Sequence, residues 1–169
     1  MMTVQSRTKK IIALIAVVAV IAAGALVAVV WKLVDSAEPR LPTVTAFASG
    51  EAVTVEPSKY CDIYLEECME RSGTEVRVEP GSVLQLSLPA EIADAPWGLL
   101  ALYENPVTGQ LGQTYEIFPS GTRRAVTVAS RLDELPGFEL RVAEVQLPSA
   151  RVNEAGDTIV RSAWSVWPY

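Results

Sequence analysis

The chain has 169 residues, of which 50% are apolar, and its 20 acidic side chains outnumber 14 basic ones. It contains two cysteines and no histidine. These counts exclude a histidine-based catalytic triad, a histidine-ligated metal or haem, and a four-thiolate zinc or iron-sulfur site. No glycine-rich phosphate loop or dinucleotide fingerprint occurs. We therefore expect no metal, no other cofactor and no enzymatic activity.

The apolar residues are concentrated near the N-terminus. Residues 11–31 form an unbroken run without a charged or hydrogen-bonding side chain, apart from the indole of Trp31. At 1.5 Å rise per residue such a run makes a helix roughly 30 Å long, which matches the hydrocarbon core of a bilayer. The sequence therefore predicts a transmembrane helix over residues 11–34.

The charges around this helix predict its orientation. Residues 7–10 carry three positive charges, whereas residues 32–40 carry two of each sign. Because positive residues favour the cytoplasmic side, residues 1–10 are predicted to lie in the cytoplasm. Everything after about Asp35 is then extracytoplasmic, in a single-pass cell-membrane protein.

A cleaved signal peptide also begins with a basic segment and an apolar run. Its apolar core is usually about 7–15 residues long, whereas this one continues past the small residues 23–25 into residues 26–30. We therefore predict a retained anchor. No cysteine precedes Cys61, which excludes a lipid-modified N-terminal cysteine. Small residues recur with four-residue spacing in the helix, as Ala19 with Ala23 and as Gly24 with Ala28. They either allow a second helix to pack closely or are simply common components of an apolar segment.

Residues 35–42, which include Pro39 and Pro42, predict a short stiff spacer. Residues 43–169 have the size of one extracytoplasmic domain. From Leu41 onward there are 9 basic and 18 acidic residues, so the net charge is 9 − 18 = −9. This charge argues against nucleic acid or anionic lipid headgroups as partners.

The domain shows apolar and polar residues alternating with period two, and it lacks long amphipathic helices. This pattern is typical of an all-β domain. Turn-forming glycines and prolines separate the candidate strands, including Ser49-Gly50, Pro148 and Gly156-Asp157. Strands with this spacing predict a β-sandwich. The predicted strands cover residues 44–47, 52–55, 75–78, 83–88, 97–103, 114–118, 124–128, 138–147 and 159–167.

Cys61 and Cys68 enclose a short loop on the predicted extracytoplasmic side, where disulfides persist. We predict a structural bridge, for which the chain-entropy model gives about 2.5 kcal/mol of stabilisation. A redox role is the alternative. The reactive motif has two residues between its cysteines, whereas six separate these.

Four acidic residues lie in and after this loop: Asp62, Glu66, Glu67 and Glu70. A calcium loop needs ligands at alternating positions and a glycine for its sharp turn. Glu66 and Glu70 instead have the i,i+4 spacing of a helix. The pattern favours a solvated acidic helical turn over a metal site.

The C-terminal segment contains three aromatic residues among its last six. In a strand, Trp164 and Trp167 face opposite sides, so one of them belongs to the core, most simply Trp164. Trp167 and Tyr169 are then candidate partner-binding residues, because exposed aromatic side chains commonly anchor protein interfaces. The alternative is that both close one end of the sandwich.

Several segments resemble an immunoglobulin-like or fibronectin type III-like sandwich. Residues 84–88 and 97–103 resemble its second strand and its tryptophan-bearing third strand. Residues 124–128 and 135–142 resemble its fifth strand, a tight corner and its sixth strand. The inter-sheet cysteine pair of antibody domains is missing, and Phe138 occupies the corner position of their tyrosine. The resemblance therefore implies an architecture and no activity.

The complete layout resembles an actinobacterial family of single-span exported proteins of unknown function, of the domain of unknown function 2771 type. The shared features are the N-terminal anchor, the loop from Tyr60-Cys61 to Cys68, Pro96-Trp97 at the start of a strand, and a tryptophan-containing end. The resemblance implies a mycobacterial or corynebacterial type of cell envelope. It supplies no catalytic residue, cofactor or activity.

The leading functional hypothesis is a membrane-anchored, non-enzymatic interaction module that binds a protein of the envelope, such as an accessory subunit of a membrane complex. Its oligomeric state is left open. The alternative is a carrier of an envelope lipid or small molecule. A cofactor-free hydrolase is a third hypothesis, because acidic residues are numerous enough to supply a carboxylate pair. A serine-lysine pair is disfavoured, since Lys59 is the only lysine of the domain and Ser58 is merely its neighbour in sequence.

Overall fold

The computed structural model describes residues 6–35, 40–134 and 136–169, with side chains from residue 11 onward. The chain forms two compact units, of which the first ends at Arg40 and the second covers Leu41–Tyr169. Each unit has its own architecture.

The first unit is the helix α1, Ser6–Asp35, which contains the predicted transmembrane segment 11–34. Its portion from Ile11 to Asp35 is long enough and apolar enough to cross a membrane. Residues 1–5 of the predicted cytoplasmic segment and residues 36–39 of the predicted spacer lie outside the described residues. The helix is thus compatible with a membrane anchor.

The second unit consists mainly of β-strands. A single helical turn, α2 (Ala90–Ala93), interrupts them and buries Ile92 and Ala93. The strands are β1 (Val44–Ala48), β2 (Glu51–Val55), β3 (Lys59–Cys61), β4 (Cys68–Glu70), β5 (Thr74–Val76), β6 (Val83–Ser87), β7 (Trp97–Glu104), β8 (Leu111–Phe118), β9 (Ala125–Ala129), β10 (Glu139–Val152) and β11 (Thr158–Pro168).

Two sheets form a sandwich, as predicted. The smaller sheet has the order β2-β1-β6-β9, and all its neighbouring strands are antiparallel. The larger sheet has the order β4-β3-β11-β10-β7-β8, and β5 joins it by pairing in parallel with β11. Strands β6 and β9 lie in the smaller sheet while β7 and β10 lie in the larger one. This division is compatible with the immunoglobulin-like arrangement.

The core between the sheets is built around two tryptophans that are completely buried, Trp97 and Trp164. Trp97 stacks on Phe118 with 4.2 Å between ring centroids. The indole nitrogen of Trp164 donates a hydrogen bond to the carbonyl of Pro42 at 2.8 Å, so its burial leaves that donor satisfied. The prediction that Trp164 belongs to the core is confirmed.

A buried tyrosine also ties the two sheets together, although Phe138 occupies the expected corner. The hydroxyl of Tyr103, on β7, donates to the carbonyl of Ala129, on β9, at 3.1 Å. Burial raises the pKa of the Tyr103 phenol above its usual value of 10.0, because the charged form loses hydration. Phe138 precedes β10 and packs half-buried against the core.

Two predictions of local structure are wrong. The acidic segment is not a helical turn: β3 and β4 pair as an antiparallel hairpin, and residues 62–67 form its loop. Pro148 does not end a strand, since β10 continues to Val152. The pairing of β10 with β11 shifts register at Leu147/Pro148, which is where a residue without an N–H can be accommodated.

Candidate interaction surface

The larger sheet has an outer face that is turned away from the core. Along β7, Trp97, Leu99, Ala101 and Tyr103 are buried, and the residues between them belong to the outer face. Along β10, buried Ala143, Val145 and Leu147 alternate with half-buried Glu144 and Gln146 in the same way. The outer face therefore carries polar, charged and apolar side chains.

An open groove of about 350 Å³ crosses this face beside β11. We call it the Trp167 groove and define it by Ser58, Gly73, Glu144, Gln146, Ser165 and Trp167, all of which line it. Lys59 and Glu70 also line it and form an ion pair at 3.9 Å. The groove exists because β3 and β5 both pair with β11, at Ser162–Ala163 and at Val166–Pro168 respectively.

A chain of hydrogen bonds fixes the polar wall of the groove. The hydroxyl oxygens of Ser58 and Ser165 lie 2.7 Å apart, and the Ser165 hydroxyl donates to one oxygen of the Glu144 carboxylate. The side-chain amide of Gln146 donates to the other oxygen at 2.6 Å. Both carboxylate oxygens are thus held by neutral donors, which fixes the side chain in one orientation.

The indole of Trp167, which is 43% exposed, also lines the groove. It lies directly against Gly73: a Cβ atom at that position would be 2.7 Å from the Trp167 indole nitrogen and 2.9 Å from the Ser165 carbonyl oxygen. Only glycine therefore leaves room for the indole in this position. The Trp167 indole therefore packs directly against the backbone of Gly73.

The second candidate residue, Tyr169, lies elsewhere. Its side chain is 74% exposed and lines a separate cavity of about 150 Å³, together with Val78, Ser130 and Arg131. Its backbone bonds to Val76 and Val78, which continues the pairing of β5 with β11. Trp167 and Tyr169 are both exposed, but they line different cavities rather than one aromatic patch.

The Cys61 and Cys68 sulfur atoms are 2.03 Å apart, at disulfide distance, and they close the β3–β4 hairpin. The Asp62 carboxylate orders the loop by accepting the backbone N–H groups of Glu66 at 2.8 Å and Glu67 at 3.3 Å. Desolvation acts to raise the pKa of this carboxyl, but backbone hydrogen bonds outweigh it and leave the pKa below the usual 3.8. The acidic residues therefore surround a hairpin loop.

Sequence reasoning missed most of the Trp167 groove. Ser58 and Ser165 are 107 positions apart in sequence, and only the pairing of β3 with β11 brings them together. Glu144 and Gln146 gave a signal, since they are the polar members of an alternating strand. That signal marks a solvent-facing side of a strand and does not indicate which residues lie opposite.

Comparison with known proteins places this architecture in a family. Residues 37–168 match the family model described as "Protein of unknown function (DUF2771)". The chain is 32% identical over 140 residues to Uncharacterized protein Mb0899c of Mycobacterium bovis and to Uncharacterized protein Rv0875c of Mycobacterium tuberculosis. Each alignment covers 80% of this chain and 83% of the relative. No solved structure gives a significant match. The actinobacterial resemblance is confirmed, and the chain belongs to the DUF2771 family.

Proposed function

We propose that this protein is a membrane-anchored, non-enzymatic module that binds another protein of the cell envelope through the Trp167 groove, in the manner of an accessory subunit. The observation that carries the proposal is the half-exposed indole of Trp167, held against Gly73 beside an ordered polar wall. Tryptophan is among the residues that dominate the energy of protein interfaces when a partner covers them.

The polar wall supports binding because it is ordered before a partner arrives. Glu144 is held by Ser165 and Gln146, and Ser165 is held by Ser58. A partner would meet side chains whose rotamers are already fixed, so less conformational entropy would be lost on association. The groove also offers the mixture of one aromatic anchor and surrounding polar groups that is typical of interface centres and their rims.

The same contacts support a non-enzymatic role. Of the two carboxylates in the groove, Glu70 pairs with Lys59 and Glu144 is held by two neutral donors. Each already has partners of its own, whereas a glycosidase needs a second carboxylate that is free to act as nucleophile or base. The hydrolase hypothesis therefore receives little support from this groove.

The proposed setting is the outer side of the cell membrane. Helix α1 supplies the anchor, and the positive charges of residues 7–10 favour a cytoplasmic N-terminus. The disulfide-distance pair Cys61 and Cys68 supports an oxidising, extracytoplasmic location for the sandwich.

The test is co-purification of tagged full-length protein from its native membrane in mild detergent, beside the anchor alone. We expect a stoichiometric partner that is lost with the anchor alone and with Trp167→Ala. Tyr64→Ala is the matched control, because Tyr64 is an exposed aromatic residue, 58% accessible, in the hairpin loop. Tyr169→Ala tests the separate cavity. Retention of the partner by Trp167→Ala would remove the groove from the proposal, and absence of any stoichiometric partner would refute the interaction module.

One observation favours the carrier alternative. The groove volume of about 350 Å³ lies at the lower end of the range for small-molecule sites, roughly 300–1,000 Å³. This size suits a small polar molecule better than a lipid chain. Native mass spectrometry of the purified protein checks this alternative, for which a retained ligand that disappears in Trp167→Ala is the expected result.

A further inference from the structure

Strand β8 forms one edge of the larger sheet and is paired on one side only. It pairs with β7 along its whole length, from Trp97↔Phe118 to Glu104↔Leu111. On its other side, no backbone hydrogen bond reaches residues 111–118 from any described part of the chain. Edge strands in this state present a row of free N–H and C=O groups that can pair with a further strand.

β8 also lacks the features that usually keep an exposed edge strand from pairing with another chain. It is eight residues long, its pairing with β7 shows no register shift, and Glu116 is its one charged residue. The other edge strands are shorter: β4 and β5 have three residues each, and β2 and β9 have five each. Among the described edges, β8 is thus the one best suited to accept another strand.

Three of the four side chains of β8 on the outer face are apolar and exposed, and the fourth is Gln113. Leu111 is 66% exposed, Tyr115 is 52% exposed and Ile117 is 67% exposed. The ring of Tyr115 lies across Gly98 of β7, where an added Cβ would come within 2.8 Å of the ring carbon Cζ. These three side chains form an apolar row at the rim of the sheet, and a neighbouring strand would cover it.

We propose that the strand that pairs with β8 is the β8 of a second copy of this chain, so that two larger sheets join into one continuous sheet. An antiparallel pair of identical strands obeys a parity rule. Two directly opposed residues either both direct their backbone groups towards the other strand or both direct them away, so their residue numbers have an even sum. A residue must therefore lie opposite its own copy on the two-fold axis.

Placing Thr114 on the axis gives the most complementary register. All of residues 111–117 then find partners, with Leu111 opposite Ile117 and Gln113 opposite Tyr115, each twice. Gly112 lies opposite Glu116, so no like charges face each other. A Glu116 axis would oppose two carboxylates, which is destabilising. A Tyr115 axis would leave the exposed Leu111 opposite Pro119, beyond the strand, whereas the Thr114 axis leaves out only the buried Phe118.

The test is cysteine cross-linking of the full-length protein in its native membrane. The sequence has two cysteines and they pair with each other, so Thr114→Cys introduces a single free thiol. Opposed residues of an antiparallel pair have Cα atoms about 4.5–5.5 Å apart, within the range that a disulfide bridges. Thr127→Cys is the matched control, because Thr127 is an exposed threonine in the middle of β9, which is also an edge strand.

We expect mild oxidation to give a disulfide-linked dimer for Thr114→Cys, at least several-fold more than for Thr127→Cys. Adding Ile117→Lys, which places an ammonium group opposite Leu111, should reduce the dimer several-fold while circular dichroism shows an unchanged fold. Adding Trp167→Ala should leave cross-linking unchanged, which separates this proposal from partner binding at the groove. Equal cross-linking at positions 114 and 127, or a dimer at 114 insensitive to Ile117→Lys, would overturn the proposal. Dimerisation through the small residues of α1 would give that second result.

Discussion

Replacement of Gly73 by alanine tests how the Trp167 groove is built. The new Cβ would lie 2.7 Å from the Trp167 indole nitrogen and 2.9 Å from the Ser165 carbonyl oxygen. The indole can rotate away, but the carbonyl belongs to the backbone of β11 and moves only with the strand. Overpacking of this kind costs about 1–3 kcal/mol. Alanine also lowers the conformational entropy of the unfolded chain, which stabilises the folded state by about 0.4–1 kcal/mol and offsets part of this cost. We therefore expect Gly73→Ala to lower the free energy of unfolding by about 1.3 kcal/mol, within a range of roughly 0–2.6 kcal/mol.

Gly98→Ala is the matched control for this measurement. Its added Cβ would also meet an aromatic ring, but the three nearest atoms all lie at the outer end of the Tyr115 side chain, which is half-exposed. That ring can turn into solvent, so we expect a net change within about 1 kcal/mol of zero.

Urea denaturation of the full-length proteins in mild detergent, followed by tryptophan fluorescence, gives both free energies. Gly73→Ala should also change the native-state emission of Trp167, and this change should vanish in a Trp167→Phe background. Equal stability of the two alanine variants, with unchanged emission, would refute the conclusion that the indole packs against β11 only because residue 73 is glycine.

Two further predictions concern the stability of the sandwich. Replacing both Cys61 and Cys68 by serine should lower the free energy of unfolding by at most about 2.5 kcal/mol, because the loop is short, and urea denaturation checks this. Tyr103→Phe should cost about 1 kcal/mol near neutral pH, because it removes the hydrogen bond to Ala129. Since burial raises the pKa of Tyr103 above 10.0, the native state keeps this proton when the unfolded chain has lost it. The stabilisation that depends on this proton is complete below pH 10.0 and declines as the pH rises through the folded-state pKa. Free energies of unfolding measured at pH 8 and pH 11 should show that decline in the parent but not in Tyr103→Phe.

The sequence was sufficient to predict the long strands because their residues alternate between a core and a solvent side. Predicted strand 83–88 corresponds to β6, Val83–Ser87, and predicted strand 159–167 corresponds to β11, Thr158–Pro168. Strands β3 and β4 were missed because each has only three residues, too few to show a period. β3 also pairs with β11, about 100 residues later in the chain. Local sequence carries no signal for such a contact.

The candidate surface was predicted only in part for a similar reason. Alternation separates Trp164 from Trp167, and the structure buries the first and exposes the second. Alternation does not reveal what lies beside an exposed residue. Trp167 packs against Gly73, yet in the sequence Gly73 is an ordinary glycine between Ser72 and Thr74. The groove follows from tertiary pairing, which brings Gly73, Ser58 and Glu144 to β11 from three separate segments.

The position of β11 within the larger sheet has a consequence for how the domain is made. β11 follows the other described strands in the chain, yet it pairs with β10, β3 and β5. Strands β3 and β5 therefore have no completed sheet to join until β11 has been synthesised, and their pairings close loops of about 90 residues or more. Domains whose strands pair over such long sequence separations fold more slowly than helical domains. The larger sheet therefore cannot be completed until the chain has been synthesised as far as Pro168, whereas the smaller sheet, β2-β1-β6-β9, needs no strand later than β9.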